Sequence, residues 1–145
     1  MAGKLFVVQG KTLPQVSARA LSDLVAEGWD LSGVADGYRQ FMEQFEPLRA
    51  TLKSAAQDTL TPEQAFVIRS LLIHAYRRVQ LHDPQLPVEL LPTPWPGALA
   101  YELARQIYLA VYAAAEQHID ATLRREDPQA PAAEAAFHDR FGGLA

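Results

Sequence analysis

The chain has 145 residues, of which 49% are hydrophobic and 21% are charged, and its net charge is −4. A single domain of this length buries a core without cross-links, and the absence of cysteine excludes disulfides, thiolate catalysis and cysteine-ligated metals. Because nucleic-acid affinity depends on neutralising phosphates with Lys and Arg, we do not expect this acidic chain to hold DNA by itself. The sequence contains neither a signal-peptide pattern nor the ~20 apolar residues of a membrane span, so we expect a cytoplasmic protein.

The first element in chain order is a short apolar run at residues 5–8. Its β-branched and aromatic side chains are typical of a strand, and Gly10 ends it. No second strand is predicted later in the chain, and a lone strand cannot satisfy its own backbone hydrogen bonds. Either this strand pairs with a second copy of the chain, or its sheet belongs to sequence outside the chain. We expect the second case, with residues 1–12 as the remnant of a preceding domain of a longer protein.

Two helices are predicted next. The first spans residues 14–27, with Gly28 as its stop, and Asp30 is placed to cap the second. The second helix has the clearest 3.6-residue apolar periodicity in the chain. Pro47 lies inside it, and because proline removes a backbone donor we expect a kink or break near residues 44–46.

The second half of the chain predicts two further helices and a loop. A capping box that begins at Thr61 starts the third helix, and the last helix is predicted over residues 97–123. Residues 85–96 between them hold four prolines and several large apolar side chains, which favour an ordered loop with a fixed path. The fold class is therefore mainly α. We expect a bundle of four to five helices over residues 13–124, with this Pro-rich ordered loop, a short N-terminal orphan strand and a mobile tail at residues 125–145.

A cluster of basic side chains is the main candidate binding site. His74, Arg77 and Arg78 lie within about one turn of the third helix. They could form an anion site, since Arg binds phosphate through two parallel hydrogen bonds. Alternatively, they could tie the helix to the loop through Asp83 or Glu89. Trp95 could likewise be the aromatic wall of a ligand pocket, or it could anchor the loop in the core.

Aromatic residues at helical spacing form a second set of candidates. Phe41, Phe45, Tyr108 and Tyr112 favour core packing, and they also fit an interface with a second copy of the chain. No histidine pair has metal-ligand spacing, and no Gly-rich phosphate loop or Ser-His-Asp pattern is present. We therefore expect no metal, no cofactor and no enzymatic activity.

An ordered series of short motifs carries a family resemblance. Residues 71–78 (LLIHAYRR), 83–87 (DPQLP), 90–92 (LLP) and 95–97 (WPG) resemble the C-terminal signature of the PaaX family of transcription regulators. The resemblance covers about residues 5–121. It implies a repressor with a winged helix-turn-helix, a ferredoxin-like middle domain and a helical C-terminal domain, of which only the last is expected here.

The resemblance also implies a function. The chain would be the effector-sensing or dimerisation domain of a repressor of phenylacetate catabolism that responds to an aryl-acyl-coenzyme A such as phenylacetyl-coenzyme A. It would form a homodimer and reach DNA only through the preceding domains. The expected effector-binding residues are His74, Arg77, Arg78 and Trp95. The alternative is a helical protein–protein interaction domain with no ligand of its own.

Overall fold

The computed structural model describes residues 21–54 and 60–131. These residues form four α-helices and a single-turn 3-10 helix, in the order α1 Leu21–Gly28, α2 Leu31–Ser54, α3 Pro62–Gln80, 3-10 helix Val88–Leu90 and α4 Gly97–Glu126. No strand occurs among the described residues, and the expectation of a mainly α fold is confirmed. The strand predicted at residues 5–8, the start of the first helix and the tail beyond residue 131 lie outside the described residues.

The predicted C-terminal end of α1 and the predicted N-terminal caps of α2 and α3 are confirmed. Helix α1 ends at Gly28, and the Asp30 carboxylate accepts a hydrogen bond of 2.9 Å from the backbone N–H of Gly33 at the start of α2. This bond holds the pKa of Asp30 below its usual value. At the start of α3, the Gln64 N–H donates to the Thr61 hydroxyl (3.2 Å) and the Thr61 N–H donates to the Gln64 side chain (3.1 Å). This reciprocal pair is the capping box.

The break expected near Pro47 does not occur, and α2 continues as one helix to Ser54. Apolar side chains on both sides of the proline pack against the core, with Phe45 buried before it and Leu48 and Leu52 half-buried after it. The Pro47 carbonyl also accepts a hydrogen bond of 3.0 Å from the Thr51 hydroxyl. The loss of one helical hydrogen bond is therefore outweighed by burial of the apolar face.

Helices α3 and α4 pack closely along most of their length, and α2 covers one side of the pair. Their contact is lined by alanines that allow the two backbones to approach, and the largest fully buried side chains are Leu72, Ile107, Tyr108 and Val111. A charged pair lies in the same contact. The Arg69 guanidinium is 6% exposed and donates to the Glu116 carboxylate on α4. The sequence marks Arg69 only as a polar position on a largely covered helix.

The loop between α3 and α4 contacts the helices at both of its ends. Near its start, Asp83 accepts a hydrogen bond of 2.7 Å from the hydroxyl of Tyr38 on α2. Near its end, the half-buried Trp95 packs edge-on against the Tyr38 ring, with a centroid distance of 6.1 Å. Between these contacts, the 3-10 helix lies beside α1, although Val88 within it is exposed. Tyr38 therefore connects both ends of the loop to α2.

Candidate functional site

A groove of about 810 Å³ runs between α2 and α3. The two helices are antiparallel, as shown by the Tyr38–Asp83 hydrogen bond at one end and the contact between the Phe41 and Tyr76 rings further along. The groove has an apolar floor, formed by Val34, Phe41, Phe45, Ala75 and Val79. The floor can therefore accept a hydrocarbon or an aromatic ring.

Glycines set the spacing of the two helices at one end of the groove. A Cβ atom on Gly37 would lie 3.2 Å from Cγ1 of Val79 on α3. This contact is tight, so a side chain at position 37 would push α2 away from α3. Gly33 lines the groove one turn earlier, beside Trp29 and Asp30. The Asp30 carboxylate at this end already caps α2.

Basic and amide side chains form the rim of the groove. His74, Arg78 and His82 follow one another at intervals of four residues, so they share one face of α3 and of the turn that follows it. All three are exposed, and Nδ1 of His82 donates to the Arg78 carbonyl at 2.8 Å. Gln40 and Gln44 provide the amides on α2. The rim therefore offers several hydrogen-bond donors, including one guanidinium, above an apolar floor.

The four predicted effector residues do not lie at one site. His74 and Arg78 line the groove, whereas Arg77 and Trp95 do not. Arg77 is exposed elsewhere on α3, and Trp95 packs on Tyr38 below the loop. Two of the four side chains are thus brought together.

The four predicted interface residues have packing partners within the chain. Phe41 and Phe45 are buried, with ring centroids 4.9 Å apart. Tyr108 is fully buried, and its ring centroid lies 5.9 Å from that of the half-buried Tyr112. Burial raises the pKa of Tyr112, and Glu116 nearby adds to this shift. Phe41, Phe45 and Tyr108 therefore belong to the core of this chain.

The comparisons with known proteins agree with this architecture. Residues 29–121, which include α2, α3, the loop and most of α4, match the model of the PaaX-like protein C-terminal domain. The chain belongs to this family. The PaaX-like chain is also similar to the transcriptional repressor PaaX of Escherichia coli strain K12, with 44% identity over 129 residues. The match covers 89% of this chain and 40% of that relative, so the chain spans well under half of the relative's length.

The groove of this PaaX-like domain includes residues that the sequence analysis did not select. Gln40, Gln44 and His82 line it beside the predicted His74 and Arg78. The interval of four residues from His74 to His82 is visible in the sequence and could have identified His82. No comparable pattern marks the glutamines, because only the packing of α2 on α3 brings them to the rim.

The described residues contain neither a candidate metal site nor a membrane-spanning helix. Within residues 21–54 and 60–131, no group of three His, Asp or Glu side chains is placed to hold a metal ion. Over the same described ranges, none of the helices combines the length and apolar character needed to cross a bilayer.

Proposed function

We propose that this chain is the effector-sensing C-terminal domain of a PaaX-like transcriptional repressor of phenylacetate catabolism. Its effector would be an aryl-acyl-coenzyme A such as phenylacetyl-coenzyme A, bound in the groove between α2 and α3. The observation that carries the proposal is the combination, in a PaaX-like domain, of an aromatic groove floor with a rim that holds Arg78 between two histidines.

The chemistry of the effector suits this groove. A volume of about 810 Å³ lies within the usual range for small-molecule sites. The phenyl ring would pack on Phe41 and Phe45, where aromatic rings favour offset or edge contacts. A phosphate of coenzyme A would accept two parallel hydrogen bonds from Arg78. Gln40 and Gln44 would pair with the amides of the pantetheine arm.

The assembly of the whole repressor is part of the same proposal. The domain would act as a homodimer, and DNA would be contacted by the N-terminal domains of the repressor rather than by this acidic chain. The similar protein from Escherichia coli is a transcriptional repressor, which is a regulator and not an enzyme. No catalytic step is therefore included in the proposal.

Calorimetric titration of the purified chain with phenylacetyl-coenzyme A tests the effector site. Acetyl-coenzyme A lacks the ring and phenylacetate lacks the phosphates, so both should bind more weakly. Arg78→Ala should weaken binding by about 10- to 100-fold, the range expected for hydrogen bonds to a charged group. Arg77→Ala is the matched control, because Arg77 is an exposed arginine on the same helix that does not line the groove.

Two results would contradict this assignment. Absence of binding at millimolar phenylacetyl-coenzyme A would remove the effector site from this chain. Equal losses in R77A and R78A would place the phosphate elsewhere, because only Arg78 lines the groove.

A helical interaction domain without a ligand is the second candidate function. The observation that favours it is the exposure of Val67 and Leu71 on the outer face of α3. Exposed aliphatic side chains at helical spacing are typical of a contact surface. Self-association without any binding of aryl-acyl-coenzyme A would favour this candidate over the first.

A further inference from the structure

The exposed face of α3 is less polar than expected for a face in contact with water. At Leu71, His74 and Arg78 it also borders the groove between α2 and α3. Val67 is 47% exposed, Leu71 is 58% exposed and Leu81, directly after the helix, is 78% exposed. The opposite face of α3 is buried under α2 and α4. A solvated helix face normally carries polar residues, so these aliphatic side chains indicate a surface that is covered in the assembled protein.

These side chains belong to a longer stripe along α3. Its members follow one another at intervals of three or four residues, and they are Glu63, Val67, Leu71, His74, Arg78 and Leu81. We call this set the α3 stripe. Glu63 lies in the first turn of the helix, and Arg78 lies in the last. In the part of the chain that the structure describes, neither side chain has an ion-pair partner.

The order of residues in the α3 stripe is self-complementary. Measured from the midpoint between Ser70 and Leu71, Glu63 lies as far in one direction as Arg78 lies in the other, and Val67 as far as His74. Leu71 lies beside the midpoint itself. An isologous contact between two copies has this property, because each residue meets its counterpart twice.

We propose that the α3 stripe is the contact surface for a second copy of this chain, with the two α3 helices antiparallel about a twofold axis beside Leu71. The inference rests on the homodimer of the proposed function and identifies its interface. Antiparallel pairing places Glu63 of one copy beside Arg78 of the other at both ends. It also aligns opposite helix dipoles. Parallel pairing would instead place Arg78 against Arg78, which is unfavourable. Because Arg78 also lines the groove, its pairing with Glu63 and its hydrogen bonds to an effector phosphate exclude each other.

The apolar centre of the α3 stripe determines how strongly two copies associate, and its charged ends determine their orientation. Leu71 and Val67 supply the burial that favours association. Exposed ion pairs add little affinity each, but the two Glu63–Arg78 pairs select the antiparallel orientation over the parallel one. The result is a closed dimer rather than an open chain of copies.

Cysteine cross-linking gives a direct test because the native chain has no cysteine. In Leu71→Cys, the two thiols would lie near the twofold axis and oxidation would join the copies. Leu99→Cys is the control, since Leu99 is 68% exposed on α4, outside the α3 stripe. We expect L71C to form a covalent dimer under conditions that leave L99C monomeric. Equal cross-linking of the two variants, or none, would overturn the inference.

Charge reversal tests the orientation, with sedimentation of the full 145-residue chain as the readout. Glu63→Arg and Arg78→Glu should each raise the dimer Kd about tenfold, because two opposite-charge contacts become repulsive in each dimer. The double variant E63R/R78E should return to within about threefold of the native Kd. Circular dichroism checks that each variant is folded. Absence of this rescue would overturn the antiparallel pairing.

The outcomes separate this inference from the proposed function. A native chain that stays monomeric at high concentration overturns both the homodimer and the α3 stripe as its interface. A dimer that is insensitive to Leu71→Glu and to both charge reversals leaves the homodimer standing and overturns the α3 stripe. Calorimetry with phenylacetyl-coenzyme A on the native chain, at concentrations at which the chain is monomeric, decides the effector site separately.

Discussion

The Arg69–Glu116 pair between α3 and α4 allows a quantitative test of how this fold is held together. We consider Glu116→Gln, Arg69→Met and the double variant R69M/E116Q. The Arg69 side chain is 7% exposed, and that of Glu116 is 22% exposed. The guanidinium is almost fully removed from water, whereas the carboxylate is partly exposed. Loss of the carboxylate should therefore lower the free energy of unfolding more than loss of the guanidinium.

The expected magnitudes follow from this difference in burial. Breaking a fully buried ion pair by removing one partner costs ~3–5 kcal/mol. Glutamine still accepts a hydrogen bond and the site is partly open, so we expect E116Q to lower the free energy of unfolding by about 2–3 kcal/mol. R69M leaves a carboxylate that can turn towards water, and its cost should be about 1–2 kcal/mol. The double variant removes both charges and should lie within about 1 kcal/mol of the native chain.

Urea denaturation followed by circular dichroism measures these differences, with m-values compared to check that the denatured state is unchanged. The double-mutant cycle then gives the coupling between the two side chains. A loss below about 0.5 kcal/mol in E116Q would identify the contact as an ordinary surface ion pair. A double variant as unstable as the sum of the singles would refute the argument from burial.

Three further predictions concern single contacts. Thr61→Ala removes the capping box and should lower the free energy of unfolding by about 1 kcal/mol in urea denaturation; no change would mean that the cap is formed without the hydroxyl. Leu72→Ala at a fully buried position should cost about 2–5 kcal/mol in the same assay, whereas the exposed Leu99→Ala should stay within about 0.5 kcal/mol. Burial, and then the hydrogen bond to Asp83, raise the pKa of Tyr38 above its ordinary value of 10.0. The stability that this phenol contributes is therefore fully present below pH 10.0 and is lost as pH rises through the higher folded pKa. Tyr38→Phe should cost about 1 kcal/mol at neutral pH and should reduce the decline in stability at alkaline pH; an unchanged alkaline decline would argue against the shift.

Local signals in the sequence correctly predicted where α2 and α3 begin. The cap at Asp30 and the capping box at Thr61 depend on hydrogen bonds between residues three positions apart. Such contacts form in any helix that contains the pattern, so no knowledge of the tertiary structure is needed. The motifs from residue 71 to residue 97 likewise identified the family, which the comparisons confirmed.

Predictions that depended on which side chains are buried, and by which helix, were less complete. Of the kink or break expected near Pro47, the break does not occur, because packing of α2 on both sides of the proline outweighs the lost hydrogen bond. Arg69 looked like one polar position among several, and only the approach of α4 buries it beside Glu116. Helical periodicity indicates which residues share a face. It does not indicate which neighbouring helix covers that face.

The candidate site also combines residues that helical periodicity places together with residues that only helix packing brings together. The sequence by itself determined that His74 and Arg78 share one helix face, because that follows from the helical repeat. Only the tertiary structure decided that they lie beside Gln40 and Gln44, since the packing of α2 against α3 joins residues more than 25 positions apart. It also separated Trp95 from them by packing its ring on Tyr38. The reason is physical: helical contacts are set by intervals of three or four residues, whereas a groove is set by how whole helices exclude water from their shared faces.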